Sequence, residues 1–196
     1  NDGIVLISQK GRALSIDSNQ VRAMGRASRG VSGLKLSSDD ELVGVCRVVE
    51  GESMLVLSEY GYGKRVEFSE FTVHGRGTGG QKIYTVQEKT GQVAGCINVA
   101  QDDEIMCITS QGKSIKVLAS EINIFGRAAS GVRIVNIDRP DFVIGVDRIA
   151  REEEDESENP LGNTSETGSN HTEESDSTEQ AVTDNEDSVE APKEDD

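Results

Sequence analysis

Three of the four Gly-Arg pairs in this 196-residue chain recur at nearly equal intervals. They are Gly25-Arg26, Gly75-Arg76 and Gly126-Arg127, and they lie 50 and 51 residues apart. Other glycines keep the same interval: Gly11, Gly61 and Gly112 before the arginines, and Gly30, Gly80 and Gly131 after them. Recurrence at about 20–50 residues is typical of solenoids, propellers and repeat arrays. The sequence therefore predicts three copies of one unit, at about residues 1–50, 51–101 and 102–151.

Each copy has the residue pattern of several short strands. An apolar first strand is predicted at 4–7, 54–57 and 105–108, and a turn that ends in glycine follows it. Alternating apolar residues then predict a return strand: Leu14 and Ile16, Val66 and Phe68, Ile115 and Val117. This pairing places two extra residues in the second turn, at Gly61-Tyr62-Gly63. The Glu70–Val73 segment and its counterparts are expected to form a turn or short bridge.

Two further strands complete the unit. A third strand is predicted at 33–36, 83–86 and 134–137, and a fourth at 42–45, 93–96 and 142–146. Four strands in about 50 residues are typical of a propeller blade. We therefore predict an all-β fold of β-propeller or β-pinwheel blades, with about three repeats.

Charge separates this repeat region from the end of the chain. Residues 152–196 hold 18 of the 36 acidic residues but only one of the 20 basic ones, Lys193. The rest of the chain is close to neutral. Because the acidic segment has almost no large apolar residues, it cannot offset the entropy of ordering. We expect a disordered acidic C-terminal tail over 152–196, which solubilises the protein or competes for the basic residues of the repeat region.

The composition argues against several other classes. The chain has three cysteines, Cys46, Cys96 and Cys107, in apolar contexts, and two histidines. Buried thiols in a reducing cytoplasm are expected, and a metal site is not. No apolar run approaches the length of a membrane span. We find no catalytic constellation, so an enzyme acting alone is the weakest interpretation.

The basic residues carry the functional signal. Most lie in turns or on the polar side of strands, so equivalent positions would repeat around one rim. A curved line of cations suits a bent polyanion bound through its phosphates, whereas any single cation is more simply a solvated surface charge. The candidate DNA-binding residues are Arg12, Arg22, Arg26, Arg29, Lys35, Lys64, Arg65, Arg76, Lys82, Lys113, Lys116, Arg127 and Arg133.

These motifs resemble those in the C-terminal domains of bacterial DNA gyrase A proteins. The resemblance rests on Met24–Leu36, on Gly61–Arg65 with His74–Gly80, and on Phe125–Val132, and it extends over about residues 1–151. It implies the last three blades of a six-bladed β-pinwheel that wraps double-stranded DNA around a basic rim. The acidic tail is also similar to tails in that family.

The resemblance also implies a setting within a larger enzyme. Such domains serve DNA gyrase, an ATP-dependent type II topoisomerase in the cytoplasm, at the nucleoid, that introduces negative supercoils. The implied partners are gyrase B and the breakage-reunion domain of gyrase A in an A2B2 holoenzyme, where other domains bind ATP and Mg²⁺. This segment would contain neither the catalytic tyrosine nor a cofactor site. The corresponding C-terminal domain of topoisomerase IV and a kelch-like protein-interaction propeller are the alternatives.

Overall fold

The fold is built from short antiparallel strands. The computed structural model describes residues 2–149, and in this part of the chain it has eleven strands and three single-turn 3₁₀ helices. The strands are β1 (Gly3–Ser8), β2 (Arg12–Asp17), β3 (Leu42–Arg47), β4 (Ser53–Ser58), β5 (Tyr62–Glu67), β6 (Gln81–Lys82), β7 (Val93–Val99), β8 (Glu104–Thr109), β9 (Ser114–Leu118), β10 (Val132–Arg133) and β11 (Val143–Ile149). The 3₁₀ helices are Ser18–Gln20, Phe68–Glu70 and Ala119–Glu121. The predicted all-β class is confirmed, while the predicted tail at 152–196 lies outside the described residues.

The strands form three successive sheets, and they differ from the predicted blade, whose four strands all come from one repeat. The first sheet has the order β3-β1-β2-β6 and the second has the order β7-β4-β5-β10. The third sheet has the order β11-β8-β9. The fourth strand of each of the first two sheets therefore comes from the following repeat, so one repeat does not make one blade by itself.

The hairpin turns are alike in all three repeats. The N–H of Gly11 donates to the Ser8 carbonyl at 2.9 Å, and Gly61 and Gly112 make the equivalent bonds at 3.0 and 2.9 Å. All three glycines have φ between 76° and 79°, a region that residues with a side chain rarely adopt.

The predicted insertion in the second turn is wrong, because Tyr62 and Gly63 are strand residues. Val66 pairs with Met54 as Ile16 pairs with Ile4, so Val66 corresponds to Ile16. Lys64 then takes the place of Leu14 in the core, and Phe68 lies in a 3₁₀ helix rather than a strand.

The predicted third strand is also wrong in extent. Residues 33–36 form no strand, and β6 and β10 are two-residue strands that end before 83–86 and 134–137. The reason lies in the backbone bonds, since the N–H groups of Ile83 and Tyr84 both donate to the single carbonyl of Gly11, at 2.9 and 3.2 Å. Two donors on one acceptor cannot continue a ladder in which each residue has its own partner.

The apolar core lies between successive sheets. All six residues of β4 are buried, because each face of this strand packs against a different neighbour. Met54 and Val56 belong to the cluster shared with the first repeat, whereas Leu55 and Leu57 belong to the cluster shared with the third. Alternation along one strand therefore links the two cores.

Glycines in the fourth strands let the sheets approach closely. A Cβ atom at Gly44 would overlap the Cys96 sulfur, and one at Gly95 would overlap a Val146 methyl group. β3 packs against β7 and β7 against β11 through these notches. As predicted, the three cysteines are buried thiols; Cys46 and Cys96 have their sulfur atoms 3.8 Å apart, and burial raises the pKa of Cys107 to about 11.

Candidate nucleic-acid interface

Each repeat has a long segment without any acidic residue around its Gly-Arg pair at 25–26, 75–76 or 126–127. These segments lie between Asp17 and Asp39, between Glu70 and Glu88, and between Glu121 and Asp138. Each begins near a 3₁₀ helix and passes through the Gly-Arg pair, and those of the second and third repeats continue into the strand that joins the preceding sheet. Eight of the predicted cations lie in them: Arg22, Arg26, Arg29, Lys35, Arg76, Lys82, Arg127 and Arg133. The absence of acidic residues around each of these Gly-Arg pairs is a signal that the sequence itself contains.

The Gly75-Arg76 and Gly126-Arg127 pairs are anchored to the preceding repeat. The backbone N–H of Arg76 donates to Gln20 Oε1 at 3.1 Å, and that of Arg127 donates to Glu70 Oε2 at the same distance. Gln20 and Glu70 are the last residues of successive 3₁₀ helices. These two side chains were not among the predicted site residues, yet they hold the backbone of Arg76 and of Arg127 in place.

The guanidinium groups of Arg76 and Arg127 also contact the preceding repeat. Arg76 Nη1 donates to the Ser32 carbonyl and Arg127 Nη1 donates to the Lys82 carbonyl, both at 3.4 Å. Each bond is long, and it engages only one of five N–H donors. Arg127 borders a cavity of about 290 Å³ that is also lined by Lys82 and Tyr84, and its Nε is buried without a partner among the described residues. The other Nη donors of both arginines have no partner among the described residues and can bind an anion.

Arg12 brings a cation of the first sheet to the second acid-free segment. Its Nε and Nη2 donate to the carbonyls of Gly79 and Gly80, at 2.5 and 2.6 Å. Arg12 also pairs with Lys82 across β2 and β6. Strand exchange thus places two cations from different repeats side by side.

Arg133 on β10 occupies the position that Lys82 has on β6, one repeat later. It pairs with Tyr62 across β5 and β10, and its Nη2 donates to the Tyr62 hydroxyl at 2.8 Å. The guanidinium carbon lies 5.1 Å from the centroid of the Tyr62 ring, within the range of a cation–π contact. Tyr62 therefore restricts the direction in which Arg133 points.

Lys64 is buried and does not face solvent. Its Nζ donates to the carbonyls of Gly126, Arg127 and Ala129, at 3.0, 2.7 and 2.7 Å. Burial lowers the pKa of this ammonium to about 8. The sequence prediction placed Lys64 at the DNA, but the structure uses it to hold the third Gly-Arg turn.

Arg65 is engaged in a similar way. Its Nε donates to the Ile122 carbonyl at 2.6 Å and its Nη1 donates to Gln101 Oε1 at 2.9 Å. Burial lowers the pKa of this guanidinium. Arg65 is only 4% exposed and Lys64 is fully buried, so both residues are excluded from the candidate interface.

Ion pairs separate the remaining cations into two groups. Lys116 lies 2.9 Å from a Glu104 carboxylate oxygen, and Lys113 lies 3.7 Å from one of Asp141. Over residues 2–149, the eight cations of the acid-free segments and Arg12 form no such side-chain pair. We call these nine residues the basic edge: Arg12, Arg22, Arg26, Arg29, Lys35, Arg76, Lys82, Arg127 and Arg133.

A comparison with known families agrees with this repeat architecture. The sequence model of the family described as "DNA gyrase C-terminal domain, beta-propeller" matches the chain three times, at residues 4–46, 52–100 and 103–150. The chain belongs to the DNA gyrase C-terminal domain family. The kelch-like alternative is thereby excluded.

Individual gyrase sequences extend the comparison. The chain is 35% identical to the DNA gyrase A protein of Aminobacterium colombiense over 153 residues, which are 78% of this chain and 19% of that protein. It is 37% identical to the gyrase A protein of Deinococcus deserti over 158 residues, 78% of this chain and 20% of that protein. The chain thus spans about a fifth of the length of these relatives.

Solved structures agree with the gyrase fold. A structure of the DNA gyrase A C-terminal domain matches with a TM-score of 0.70 and 32% identity, over 76% of this chain and 51% of that one. The C-terminal domain of DNA topoisomerase IV gives the same TM-score at 22% identity, over 76% of this chain and 46% of that one, which shows a shared fold.

Other kinds of site are poorly supported in this gyrase-family body. Over residues 2–149 no three His, Cys, Asp or Glu side chains come together as a metal site. In the same range, no helix has the length and apolar character needed to cross a membrane. The basic edge therefore stands out as the candidate functional site.

Proposed function

We propose that this chain binds and wraps double-stranded DNA as the C-terminal part of a gyrase A protein. The observation that carries the proposal is the basic edge, whose nine cations have no carboxylate partner among the described residues. Cations whose charge no carboxylate neutralises are the ones that can neutralise phosphates and release counterions.

The basic edge suits the DNA backbone rather than the bases. Its cations lie in turns and irregular segments, on the two-residue strands β6 and β10 and, for Arg12, at the start of β2, and within residues 2–149 no helix is longer than one turn, so none of these could enter a major groove. Backbone recognition without base contacts gives sequence-tolerant binding that weakens steeply with salt.

Repetition favours wrapping over binding to straight DNA. Arg76 and Arg127 are held in the same way against successive repeats, and Lys82 and Arg133 occupy equivalent pairing positions. Cations at a regular spacing around successive blades follow a bent duplex, and bending becomes favourable when it allows more such contacts.

The wider setting follows from the family. We propose that the chain acts with gyrase B and the breakage-reunion domain of gyrase A in the cytoplasm, where ATP hydrolysis in gyrase B drives negative supercoiling. Among the compared structures, identity is higher to the gyrase domain than to that of topoisomerase IV, 32% against 22%, which favours the gyrase assignment.

The test is DNA binding by the full chain across a salt series, with a linear duplex and a minicircle of the same sequence. We expect a steep salt slope and tighter binding to the minicircle, because the minicircle is already bent. A well-folded chain that binds neither DNA at low salt would refute the proposal. Equal affinity for both DNAs would refute wrapping while leaving binding intact.

A further inference from the structure

The second Gly-Arg turn is bonded directly to the backbone of the first repeat. The N–H of Lys35 donates to the Thr78 carbonyl at 2.9 Å, and the N–H of Gly77 donates to the Gly33 carbonyl at 2.5 Å. These two hydrogen bonds run in opposite directions and close the gap between the turn and residues 33–35. No free backbone donor of Lys35 or Gly77 is left for a ligand.

The corresponding gap in front of the third turn is open. Thr85 and Ala128 stand at the positions of Lys35 and Gly77, but their N–H groups have no acceptor among the described residues. Both residues line the cavity of about 290 Å³. Where two backbone bonds close the first gap, the second therefore contains a cavity with two unused N–H donors on its walls.

Lys64 explains the difference between the two turns. Its Nζ donates to the carbonyl of Ala129, the counterpart of the Thr78 carbonyl, at 2.7 Å, and to two other carbonyls of the same turn. In the first repeat this core position is held by Leu14, which has no donor. Because the ammonium takes the carbonyl that the N–H of Thr85 would need, that N–H stays free.

Lys64 also sets the direction of a peptide group in the third turn. The peptide bond between Arg127 and Ala128 is trans, so its N–H points opposite to its carbonyl. That carbonyl accepts from Lys64 Nζ at 2.7 Å, and the N–H of Ala128 therefore points away from the core. A hydrogen bond at the carbonyl also polarises the peptide and strengthens its N–H as a donor.

Side chains add further donors around the same cavity. Arg127 Nε is buried without a partner among the described residues. Thr85 contributes a hydroxyl and Lys82 an ammonium group, and both residues line the cavity together with Arg127. A guanidinium, a hydroxyl and backbone N–H groups around one cavity are the donors that a phosphate group requires.

The charges around the third turn favour an anion. Glu70 is held there, because its Oε2 accepts the N–H of Arg127 at 3.1 Å. Three cations, Lys64, Lys82 and Arg127, outweigh this carboxylate. Burial lowers the pKa of Lys64 to about 8, and the charge of Glu70 counteracts this shift whereas that of Arg127 adds to it. An anion bound at Arg127 would offset that repulsion, so binding of the anion and protonation of Lys64 support each other.

We propose that this cavity binds one phosphate group through the guanidinium of Arg127 and the donors of Thr85 and Ala128. Lys64 is the positioning residue that keeps the turn in this form. The inference rests on the proposed function in that a phosphate of the DNA backbone is the expected source, and inorganic phosphate presents the same oxygens. It makes the third Gly-Arg turn a defined phosphate position that the second turn does not reproduce.

NMR titration of the full 196-residue chain with inorganic phosphate tests the site. At pH 7 the amide signals of Thr85 and Ala128 should shift and saturate. Those of Lys35 and Gly77 should stay nearly constant, since their N–H groups already have acceptors. Acetate at the same ionic strength is the control for anions in general. Absent shifts at Thr85 and Ala128, or equal shifts with acetate, would overturn the proposal.

A pH series tests the role of Lys64. The methyl signals of Thr85 and Ala128 report binding at high pH, where amide protons exchange quickly. As the pH rises through about 8, Lys64 loses its proton, so phosphate affinity should fall about fourfold from pH 8 to pH 9.5 if binding raises that pKa by about one unit. In Lys64→Leu the affinity should be lower and independent of pH in this range. Constant affinity in the native chain would overturn the positioning role.

A threonine substitution tests the cavity without touching Lys64. Thr85→Val removes the hydroxyl but keeps the branched shape, and it should weaken phosphate binding about tenfold, because hydrogen bonds to charged groups are strong. Thr78→Val is the matched control, since the Thr78 hydroxyl donates to the Gly75 carbonyl in the second turn. Equal affinities of the two variants would place the phosphate outside this cavity.

Competition with DNA identifies the source of the phosphate group. A linear duplex should displace inorganic phosphate and shift the same signals of Thr85 and Ala128. If the duplex binds without perturbing these signals, the proposed function stands and the inference fails. If inorganic phosphate binds in the cavity but no duplex binds to the chain, the site belongs to a free phosphate ion and the proposed function fails instead.

Discussion

The ammonium nitrogen of Lys64 lies 2.7 Å from the carbonyl oxygen of Arg127. Lys64 belongs to β5 of the second repeat, and Arg127 belongs to the Gly-Arg turn of the third. Lys64, which the sequence predicted at the DNA, is thus a structural support for Arg127, which we propose contacts the DNA. The position of Arg127 therefore depends on a buried charge in another repeat.

Replacing Lys64 with leucine, the residue at the corresponding position 14, should destabilise the fold. The three carbonyls of residues 126, 127 and 129 would lose their donor, at a cost of about 1–3 kcal/mol, since water can reach part of this turn. Urea unfolding followed by circular dichroism measures this change. Unchanged stability would show that the lysine does not secure the turn.

The same pair of proteins should differ in pH dependence. Burial lowers the pKa of Lys64 from 10.5 to about 8, so between these values the unfolded state binds more protons than the folded state. The free energy of unfolding of the native protein should therefore rise from about pH 8 to about pH 10.5 relative to Lys64→Leu. Groups that both proteins share cancel in the difference. A constant difference would contradict the lowered pKa.

Neutralising the basic edge should weaken DNA binding and flatten its salt dependence. In Lys35→Gln/Lys82→Gln two exposed cations without side-chain ion pairs are removed, so the slope of log K against log salt should fall by about two units. Arg47→Gln/Lys89→Gln removes the same charge outside the acid-free segments and is the matched control. If both double variants lose equal affinity, the net charge of the protein matters and the basic edge does not.

The acidic tail should compete with DNA if it reaches the basic edge. Residues 152–196 carry 18 acidic residues, and tethering gives them a high local concentration. Deleting them should strengthen DNA binding at low salt and have little effect at high salt, where charges are screened. A tail of equal length with Gln and Asn in place of Glu and Asp separates charge from bulk. Unchanged affinity at low salt on deletion would eliminate competition and leave a solubilising role.

Two glycine substitutions should separate backbone strain from contacts between repeats. Gly61 and Gly112 have φ values of 77° and 79°, so alanine is strained by about 1–2 kcal/mol at either position. Only at Gly61 would the new Cβ also overlap the Val135 carbonyl, which should add about 1–3 kcal/mol. Thermal unfolding of the two variants measures the difference. Equal destabilisation would place the repeat contact elsewhere.

Local patterns in the sequence predict the hairpins well. The apolar runs and turn glycines locate β1, β4 and β8, because a strand bounded by a tight turn is encoded by adjacent residues. The third strand escapes such patterns because its partner belongs to the preceding repeat, and a pairing across about 70 residues leaves no local signal.

The candidate site is predictable only in part, for the same reason. Positive charge and repeat position are visible in the chain, so Lys82 and Arg133 can be named from the sequence. The burial of Lys64 cannot, because the apolar alternation aligns two residues out of register and only the strand pairing shows that Lys64 replaces Leu14. The supporting roles of Gln20 and Glu70 depend on contacts between repeats and have no signature in either repeat alone.

Strand exchange means that the unit copied in the sequence is not the unit that folds. The first sheet is complete only when β1, β2 and β3 are joined by β6, so it needs residues 3–82 rather than 1–50. A gene fragment cut at a repeat boundary would leave one sheet without its fourth strand, and one short strand such as β6 without a sheet to join. Recombination that adds or removes a repeat therefore exchanges an interface along with a module, and every inserted copy must suit two neighbours at once.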